Sequence, residues 1–434
     1  MIFPRRIIIF AVAVILVSGL FSFYVKDRPR VDAKAYDKIA WNLARGIGYI
    51  EEESLAETPA KDDAIVRVGP GYEFFLAGIY NVVGHRYSVV WILQAVMRGL
   101  SVLLVYAIAQ MLFASTGTAF LAAFLFGFSP DLIVVNGFLL TETLFIFFVL
   151  AGVYTSLYYF LKPTNLRIFS AGLLWALAVL VRPVAILSLL VVFGVLVWRR
   201  SWQDIFLFLI APLVLIGSWS AYATHRYGSF ILTTTAGGYD LWVGNNINAT
   251  GGFEKTPEIQ ELRNKTHSVE LEKISRKKYF EFLFSHPFKF IELQFRKFAI
   301  YFDILRPGGV WIGLYAHHWL LLGIIVASFF GNMLFFGVGL AGLWIVLKER
   351  SDMIHKVFFA MAFVAPLGAI PIIVETRYRY PLFPFLAIAA AFFLTQKLFD
   401  IKLLGRIFIF LSILAAYDLW FNLAGLTERL QNIL

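Results

Sequence analysis

The sequence predicts an all-α polytopic integral membrane protein, with about eleven transmembrane helices in a single domain over residues 1–434. Three observations predict it. Hydrophobic residues make up 60% of the chain and charged ones only 15%, whereas a soluble protein of this length carries about a quarter charged. The apolar residues fall in long uncharged runs, near the roughly 18 residues that a helix needs to cross a hydrocarbon core of about 30 Å. The polar residues gather between those runs, most of them in two long segments, 26–84 and 223–318.

Ile7–Val25 follows Arg5 and Arg6 and reads as an uncleaved first helix, since no small-residue cleavage site closes it. Residues 26–84 form the first long loop, with a partly apolar stretch at Tyr72–Val83. Further spans are expected at Val89–Phe113, Thr118–Val135, Leu139–Leu161, Ile168–Val181, Val184–Trp198 and Trp202–Tyr222. Between two of them Arg182-Pro183 predicts a tight re-entry, because proline removes a helical hydrogen bond and clashes with the preceding turn. After the second long loop come Trp319–Leu347, Val357–Val374, Tyr380–Leu394 and Ile407–Leu426.

Orientation follows from the basic residues of the short loops. With the N-terminus cytoplasmic, the inside loops hold Arg5, Arg6, Lys162, Arg167, Arg199, Arg200, Lys348, Arg350, Lys356, Lys397, Lys402 and Arg406. The short outside turns hold only Arg182, Arg377 and Arg379. Both long loops are therefore expected outside the cytoplasm, carrying short interfacial helices. One is marked by Phe288, Ile291, Phe295, Phe298 and Phe302, with Lys289, Glu292, Arg296 and Lys297 between them. Such spacing gives one aromatic and one charged helix face, suited to the interface plane and equally to packing on the first loop.

The absence of cysteine excludes disulfides, thiolate metal sites and cysteine nucleophiles. The formal charge of +10 matches anionic lipid headgroups and the orientation bias of the loops. No compact basic domain exists to bind nucleic acid, which is not an expected partner.

Three clusters project to the expected outer face. Asp32 and Tyr36 are four residues apart and share a helix face just after the first span. Glu142 opens an otherwise apolar helix. Facing lipid it would cost a few kcal/mol, so it faces a cavity or a partner, or caps the helix together with Thr141. The third cluster is Glu375-Thr376-Arg377-Tyr378-Arg379-Tyr380-Pro381. Its two arginines defy the positive-inside trend, and a guanidinium fork suits bidentate phosphate binding. Pairing with Glu375 or with headgroups is the alternative. Arg98, Arg182 and Asp418 are expected to pair with opposite charges, or for the arginines to snorkel.

In chain order the sequence carries Asp32-Ala33-Lys34-Ala35-Tyr36 with Ile39-Ala40 to Gly46, then Arg67-Val68-Gly69-Pro70-Gly71-Tyr72 and Ser129-Pro130. Leu140-Thr141-Glu142-Thr143-Leu144-Phe145, Val181-Arg182-Pro183, Gly244-Asn245-Asn246 and Ala249-Thr250-Gly251-Gly252 follow. The series ends with His286-Pro287, Lys297 and Arg377 to Pro381 with Pro384. In this order and spacing the chain resembles the lipid-linked-sugar glycosyltransferases of the C superfamily, of the protein O-mannosyltransferase and aminoarabinose-transferase type. Ala33 stands where that family has a second acidic residue.

The resemblance implies an inverting hexosyl- or pentosyltransferase of the cell inner (plasma) membrane, working on the outer face. Its donor would be an undecaprenyl- or dolichyl-phosphate sugar and its acceptor an envelope glycan, lipid or protein. The residues suit that chemistry. Asp32 is the nominee to take the acceptor's proton, and Arg377, Arg379 and Tyr378 would receive the departing phosphate. Glu142 would orient the acceptor, position Asp32 or help hold a divalent metal ion. Tyr36, Arg67, Arg182, Asn245 and Asn246 are further substrate-binding positions. No multi-histidine spacing marks a preformed metal site. The rival readings are a transporter or lipid flippase, which needs charges through the midplane, and an inactive scaffold relative, suggested by Ala33.

Overall fold

The computed structural model describes residues 3–431 apart from 56, 59–61, 68, 307–317 and 397–399, with only the backbone described over 422–431. Val68 and Lys397 thus lie outside the described residues. Every regular element among the described residues is helical. The first half of the chain forms α1 (Arg5–Val25), α2 (Asp32–Ala44), α3 (Pro70–Val83), α4 (Tyr87–Phe113), α5 (Thr116–Gly127) and α6 (Pro130–Val135). Then come α7 (Glu142–Leu161), α8 (Asn165–Val181), α9 (Ile186–Trp198) and α10 (Trp202–Tyr227). The second long loop folds into α11 (Ala236–Gly244), α12 (Pro257–Lys265), α13 (Ser268–Ser285) and α14 (Pro287–Phe302). The C-terminal part holds α15 (His318–Asn332), α16 (Leu340–Glu349), α17 (Met353–Ala362), α18 (Val364–Ala369), α19 (Phe383–Thr395) and α20 (Ile401–Gln431).

Among the described residues, seven stretches are long and apolar enough to cross a membrane: α1, α4, α7, α10, α15 with α16, Thr376–Thr395 and Ile401–Phe421. Four shorter apolar helices accompany them: Thr116–Gly127, Asn165–Val181, Pro183–Trp198 and Met353–Ala369. The chain is a multi-span membrane protein, and length with composition gives seven candidate spans among the described residues. The expected eleven would need the four shorter helices to cross as well.

Proline explains where the elements depart from the expected runs. The run Thr118–Val135 is two helices, because Pro130 occupies the first turn of α6, where its missing N–H leaves no bond unmade. The run Val357–Val374 stops at Ala369, two residues before Pro371, after a break between α17 and α18. At Arg182-Pro183 the expected re-entry forms as a single 3-10 turn, Pro183–Ala185, between α8 and α9.

The topology brings the chemistry-bearing residues to one end of the bundle. There α1, α8 and α10 end and α7 and Thr376–Thr395 begin. Both long loops attach at that end and pack on each other: the Thr235 N–H donates to the Ile65 carbonyl (3.0 Å), and so does the Thr234 hydroxyl (2.7 Å). Asp62 stiffens the first loop by accepting from the backbone N–H groups of Glu51, Glu52 and Ala64 at 2.9, 2.8 and 2.8 Å. Gly69 and Gly71 seat the start of α3 against the end of α8. A Cβ at Gly69 would lie 2.4 Å from the Leu180 carbonyl oxygen, and one at Gly71 would lie 2.8 Å from the Val181 nitrogen. No other residue allows that approach, which sets α3 beside Arg182.

The aromatic stripe of the second loop divides. Phe298 and Phe302 pack on Phe410 (6.3 Å) and Phe336 (5.6 Å) respectively. Phe288, Ile291 and Phe295 remain 86, 50 and 68% exposed, so packing on the first loop does not account for them. Inside the bundle, Arg98 meets no carboxylate within ion-pair distance among the described residues, so of the two expectations for it the ion pair is not seen. Arg98 donates to the carbonyl of Gly127 at 2.8 Å, at the helix end before Pro130, and more weakly to those of Phe126 and Ser129 at 3.4 Å. Asp418 pairs as expected, with Arg306 at 2.5 Å.

Candidate functional site

A cavity of about 470 Å³ opens where the two loops meet the bundle end, lined by α2, the 66–67 turn, α11, α12 and the Glu375–Tyr378 segment. Of the residues singled out from sequence, Asp32, Tyr36, Arg67, Arg182, Arg377 and Tyr378 line it. Asp32 is placed by the start of α2, whose Ala33, Tyr36, Ile39 and Ala40 are buried against the core. This helix is a packed element rather than a solvated one. Farther along it, Asp37 accepts from the Tyr80 hydroxyl (2.7 Å), His85 (2.7 Å) and the Tyr87 hydroxyl (2.8 Å), which fixes α2 against α3 and α4. Val31, just before Asp32, is held at φ 48°, a strained setting for a β-branched residue and one that clusters at functional sites.

The Arg377 guanidinium donates to Asp32 Oδ2 at 2.5 Å. Its Nε also lies 3.9 Å from Glu142 Oε1. Glu142 is fully buried and sits behind the cavity wall, where Arg182 donates to it at 2.6 Å and to the Thr141 hydroxyl at 2.8 Å. One buried carboxylate thus braces two arginines that face the cavity. Tyr378 lies under both, its ring 5.6 Å from the Arg182 guanidinium and 5.8 Å from that of Arg377. Arg67 pairs with Glu51. Burial works to raise the Asp32 carboxyl, but Arg377 beside it, with Arg67 and Arg182 farther off, holds it below its ordinary value.

Three other residues stand away from the cavity. Arg379 is fully buried and donates to the carbonyls of Asp303 (2.8 Å) and Arg306, supporting the turn that carries Arg377. Asn245 and Asn246 close the end of α11. Asn246 donates to the Trp242 (3.0 Å) and Val243 (3.2 Å) carbonyls, and Asn245 to Leu241 (2.8 Å) and across to residues 371–372.

Sequence reasoning missed the opposite wall. Asp240 on α11, Lys255, and Arg263 on α12 also line the cavity. Asp240 is pushed up to about 7 by burial and by the facing charge of Asp32. The available signal was a lone carboxylate in the otherwise uncharged helix Ala236–Gly244. Among the described residues, no three or more His, Cys, Asp or Glu side chains converge to hold a metal ion.

Two groups near the cavity give stability predictions. Breaking a buried pair by removing one partner costs about 3–5 kcal/mol. Glu142→Gln, which leaves Arg182 and Arg377 without their shared counter-charge, is therefore expected to lower the thermal midpoint markedly in detergent; a midpoint equal to wild type would show that the pair is not braced. Glu73 on α3 is fully buried with no ion pair among the described residues, and burial pushes it up to about 8. The folded state then holds a proton that the unfolded chain releases. That stability is complete below about 4.5, the ordinary glutamate value, and is lost as pH rises through 8. The slope is at most about 1.4 kcal/mol per pH unit. Glu73→Gln is expected to abolish this component; an unchanged slope in denaturation between pH 5 and 8 would contradict it.

Comparison with known proteins agrees with this architecture. The family model described as dolichyl-phosphate-mannose-protein mannosyltransferase matches residues 67–221, about a third of the chain. The structure is similar to that of ArnT from Cupriavidus metallidurans bound to undecaprenyl phosphate, with a TM-score of 0.54 and 15% identity over 95% of this chain and 64% of that one. It is similar also to the apo state of the same protein, with a TM-score of 0.52 and 13% identity over 95% of this chain and 63% of that one. The chain thus spans somewhat under two thirds of the length of those structures. No curated protein sequence matches it. The chain therefore has a polytopic helical fold similar to that of ArnT, and its residues 67–221 match the dolichyl-phosphate-mannose-protein mannosyltransferase family model.

Proposed function

We propose that the chain is an inverting membrane glycosyltransferase, moving a hexosyl or pentosyl group from a polyprenyl-phosphate donor to an envelope glycan, lipid or protein. The observation that carries this reading is the meeting of Asp32 and Arg377 at 2.5 Å in a cavity at the bundle end, on a fold shared with an enzyme solved with undecaprenyl phosphate bound.

The acceptor hydroxyl oxygen attacks the anomeric carbon from the face opposite the phosphate. A new C–O bond forms as the bond to the phosphate oxygen breaks, and the phosphate leaves with the electron pair. Attack from behind inverts the anomeric centre. Phosphate is already a good leaving group, so no acid need protonate it, unlike glycoside hydrolysis with its two carboxylates. Asp32 takes the acceptor proton, and Arg377 receives the charge that develops on the phosphate. While paired with Arg377, Asp32 is a weak base. A phosphate oxygen that shares the guanidinium loosens that pair and raises the carboxylate's basicity, so donor binding prepares the base.

A transporter or flippase would need charges along a path through the membrane. Here the charged cavity lies at one end, one Arg98 nitrogen is bound to carbonyls of its own bundle and Asp418 is paired with Arg306. The loop charges favour an inner (plasma) membrane protein with a cytoplasmic N-terminus and the cavity outside. A topology reporter fused after Arg67 or Gly252 is expected to read outside, and one after Arg200 or Glu349 inside. An inside signal at Gly252 would invert the orientation.

The reaction itself is tested with purified protein and radiolabelled polyprenyl-phosphate sugars, scored for label in envelope lipid, glycan and protein fractions. Transfer into one fraction is expected, and none into any would overturn the reading.

A further inference from the structure

Behind the Arg377 segment lies a lysine that the chemistry above does not use. Lys297 on α14 is fully buried, and among the described residues no carboxylate lies within ion-pair distance of it. Its ammonium donates to the Asn245 side-chain oxygen at 2.6 Å and to the carbonyls of Pro371 and Ile372 at 3.2 and 3.1 Å. Asn245, equally buried at the end of α11, donates to the same two carbonyls at 3.2 and 3.0 Å. Gln294, one turn before Lys297, donates to the Asn245 oxygen at 2.9 Å.

Burying an ammonium without a counter-charge is costly, and burial alone brings Lys297 down to about 7. A methionine would fill the same channel at less cost. What the lysine adds is three donors converging on three oxygens, one from α11 and two from the segment that leads into the hairpin. Two further contacts close the junction. The Val374 N–H donates to the Gly251 carbonyl at 3.3 Å, and a Cβ at Gly244 would lie 2.1 Å from the Ile372 oxygen. Residues 371–374 are thus strapped to α11 and α14 immediately before Glu375, Arg377 and Tyr378. Those three form one wall of the cavity, and Tyr239 and Asp240 on α11 form part of the facing wall.

We infer that Lys297, acting through Asn245 and the 371–372 carbonyls, is a positioning residue that sets Arg377 against Asp32 and the donor phosphate. The inference rests on the donor site proposed above. It makes Lys297 coupled to Arg377 rather than independent of it, although the two side chains share no contact.

The test is a double-mutant cycle on the full chain in nanodiscs, read as affinity for polyprenyl phosphate. Lys297→Gln is expected to weaken binding about tenfold in wild type and to add little in the Arg377→Ala background, with the acceptor KM unchanged. Asn245→Ala cuts the same knot from the other side and is expected to weaken binding alike, which covers failure of one variant to fold. Wild-type affinity in Lys297→Gln and Asn245→Ala, or losses that add in full to that of Arg377→Ala, would overturn the positioning role. Wild-type affinity in Arg377→Ala as well would overturn the donor site itself.

Discussion

Asp32→Asn is expected to cut turnover by about two or more orders of magnitude while expression and thermal stability hold, the usual scale for a lost general base. Asparagine keeps the shape of the side chain and a hydrogen-bond acceptor for Arg377, but it cannot take a proton. Folding is not at stake, since Asp32 is partly open to the cavity, its side chain 30% exposed, and caps no helix through its side chain. Steady-state transfer of label from a polyprenyl-phosphate sugar measures the effect. Near-normal turnover would move the base elsewhere. Of the nearby carboxylates, Asp37 is held by three donors away from the cavity lining, and Glu142 is occupied by Arg182. Asp240, which faces Asp32 and has no ion pair among the described residues, would then be the next position to change.

Arg377 should show the second largest effect, in binding. Hydrogen bonds to charged groups contribute about 1.5–3 kcal/mol each, so Arg377→Ala should weaken polyprenyl-phosphate binding by roughly 10- to 100-fold. Arg377→Lys keeps the charge but loses the planar fork, and should fall between the alanine variant and wild type. Arg379→Ala should behave differently. Its guanidinium holds the carbonyls of Asp303 and Arg306 and does not line the Asp32 cavity, so the loss is first one of thermal stability. Equal donor affinity in wild type and in the Arg377→Ala, Arg379→Ala double mutant would reduce this segment to a membrane anchor.

The sequence made the bundle legible because its signal is strong: runs without charge, ended by proline and arginine. Helix breaks were harder. Thr118–Val135 reads as one span, because hydropathy does not register that Ser129-Pro130 interrupts the hydrogen-bond ladder between α5 and α6. In the site, Asp32, Glu142, Arg182 and Arg377 stood out because each is a charge at the edge of an apolar run. Their pairing across 345 and 40 positions of chain is set by tertiary packing and leaves no local trace. Asn245 and Asn246 are polar residues in an outer loop by sequence, and only the backbone placement shows that their amides serve the end of α11. Asp240, Lys255 and Arg263 were missed for the converse reason. Lys255 and Arg263 lie in a polar stretch where charge is ordinary, Asp240 stands alone on a short helix of the outer loop, and the fold alone brings all three to the cavity that holds Asp32.

The central claim divides the labour of one ion pair, with Arg377 binding phosphate and Asp32 moving the proton. Because the pair meets at 2.5 Å, donor phosphate must compete with Asp32 for the guanidinium. Titration of polyprenyl phosphate into purified wild type and Asp32→Asn, with transfer measured on the same preparations, tests this directly. The account predicts binding that is equal or tighter in Asp32→Asn, together with transfer lowered about a hundredfold or more. Weaker binding in Asp32→Asn with transfer falling only in proportion would contradict it, making Asp32 a part of the donor site rather than the base.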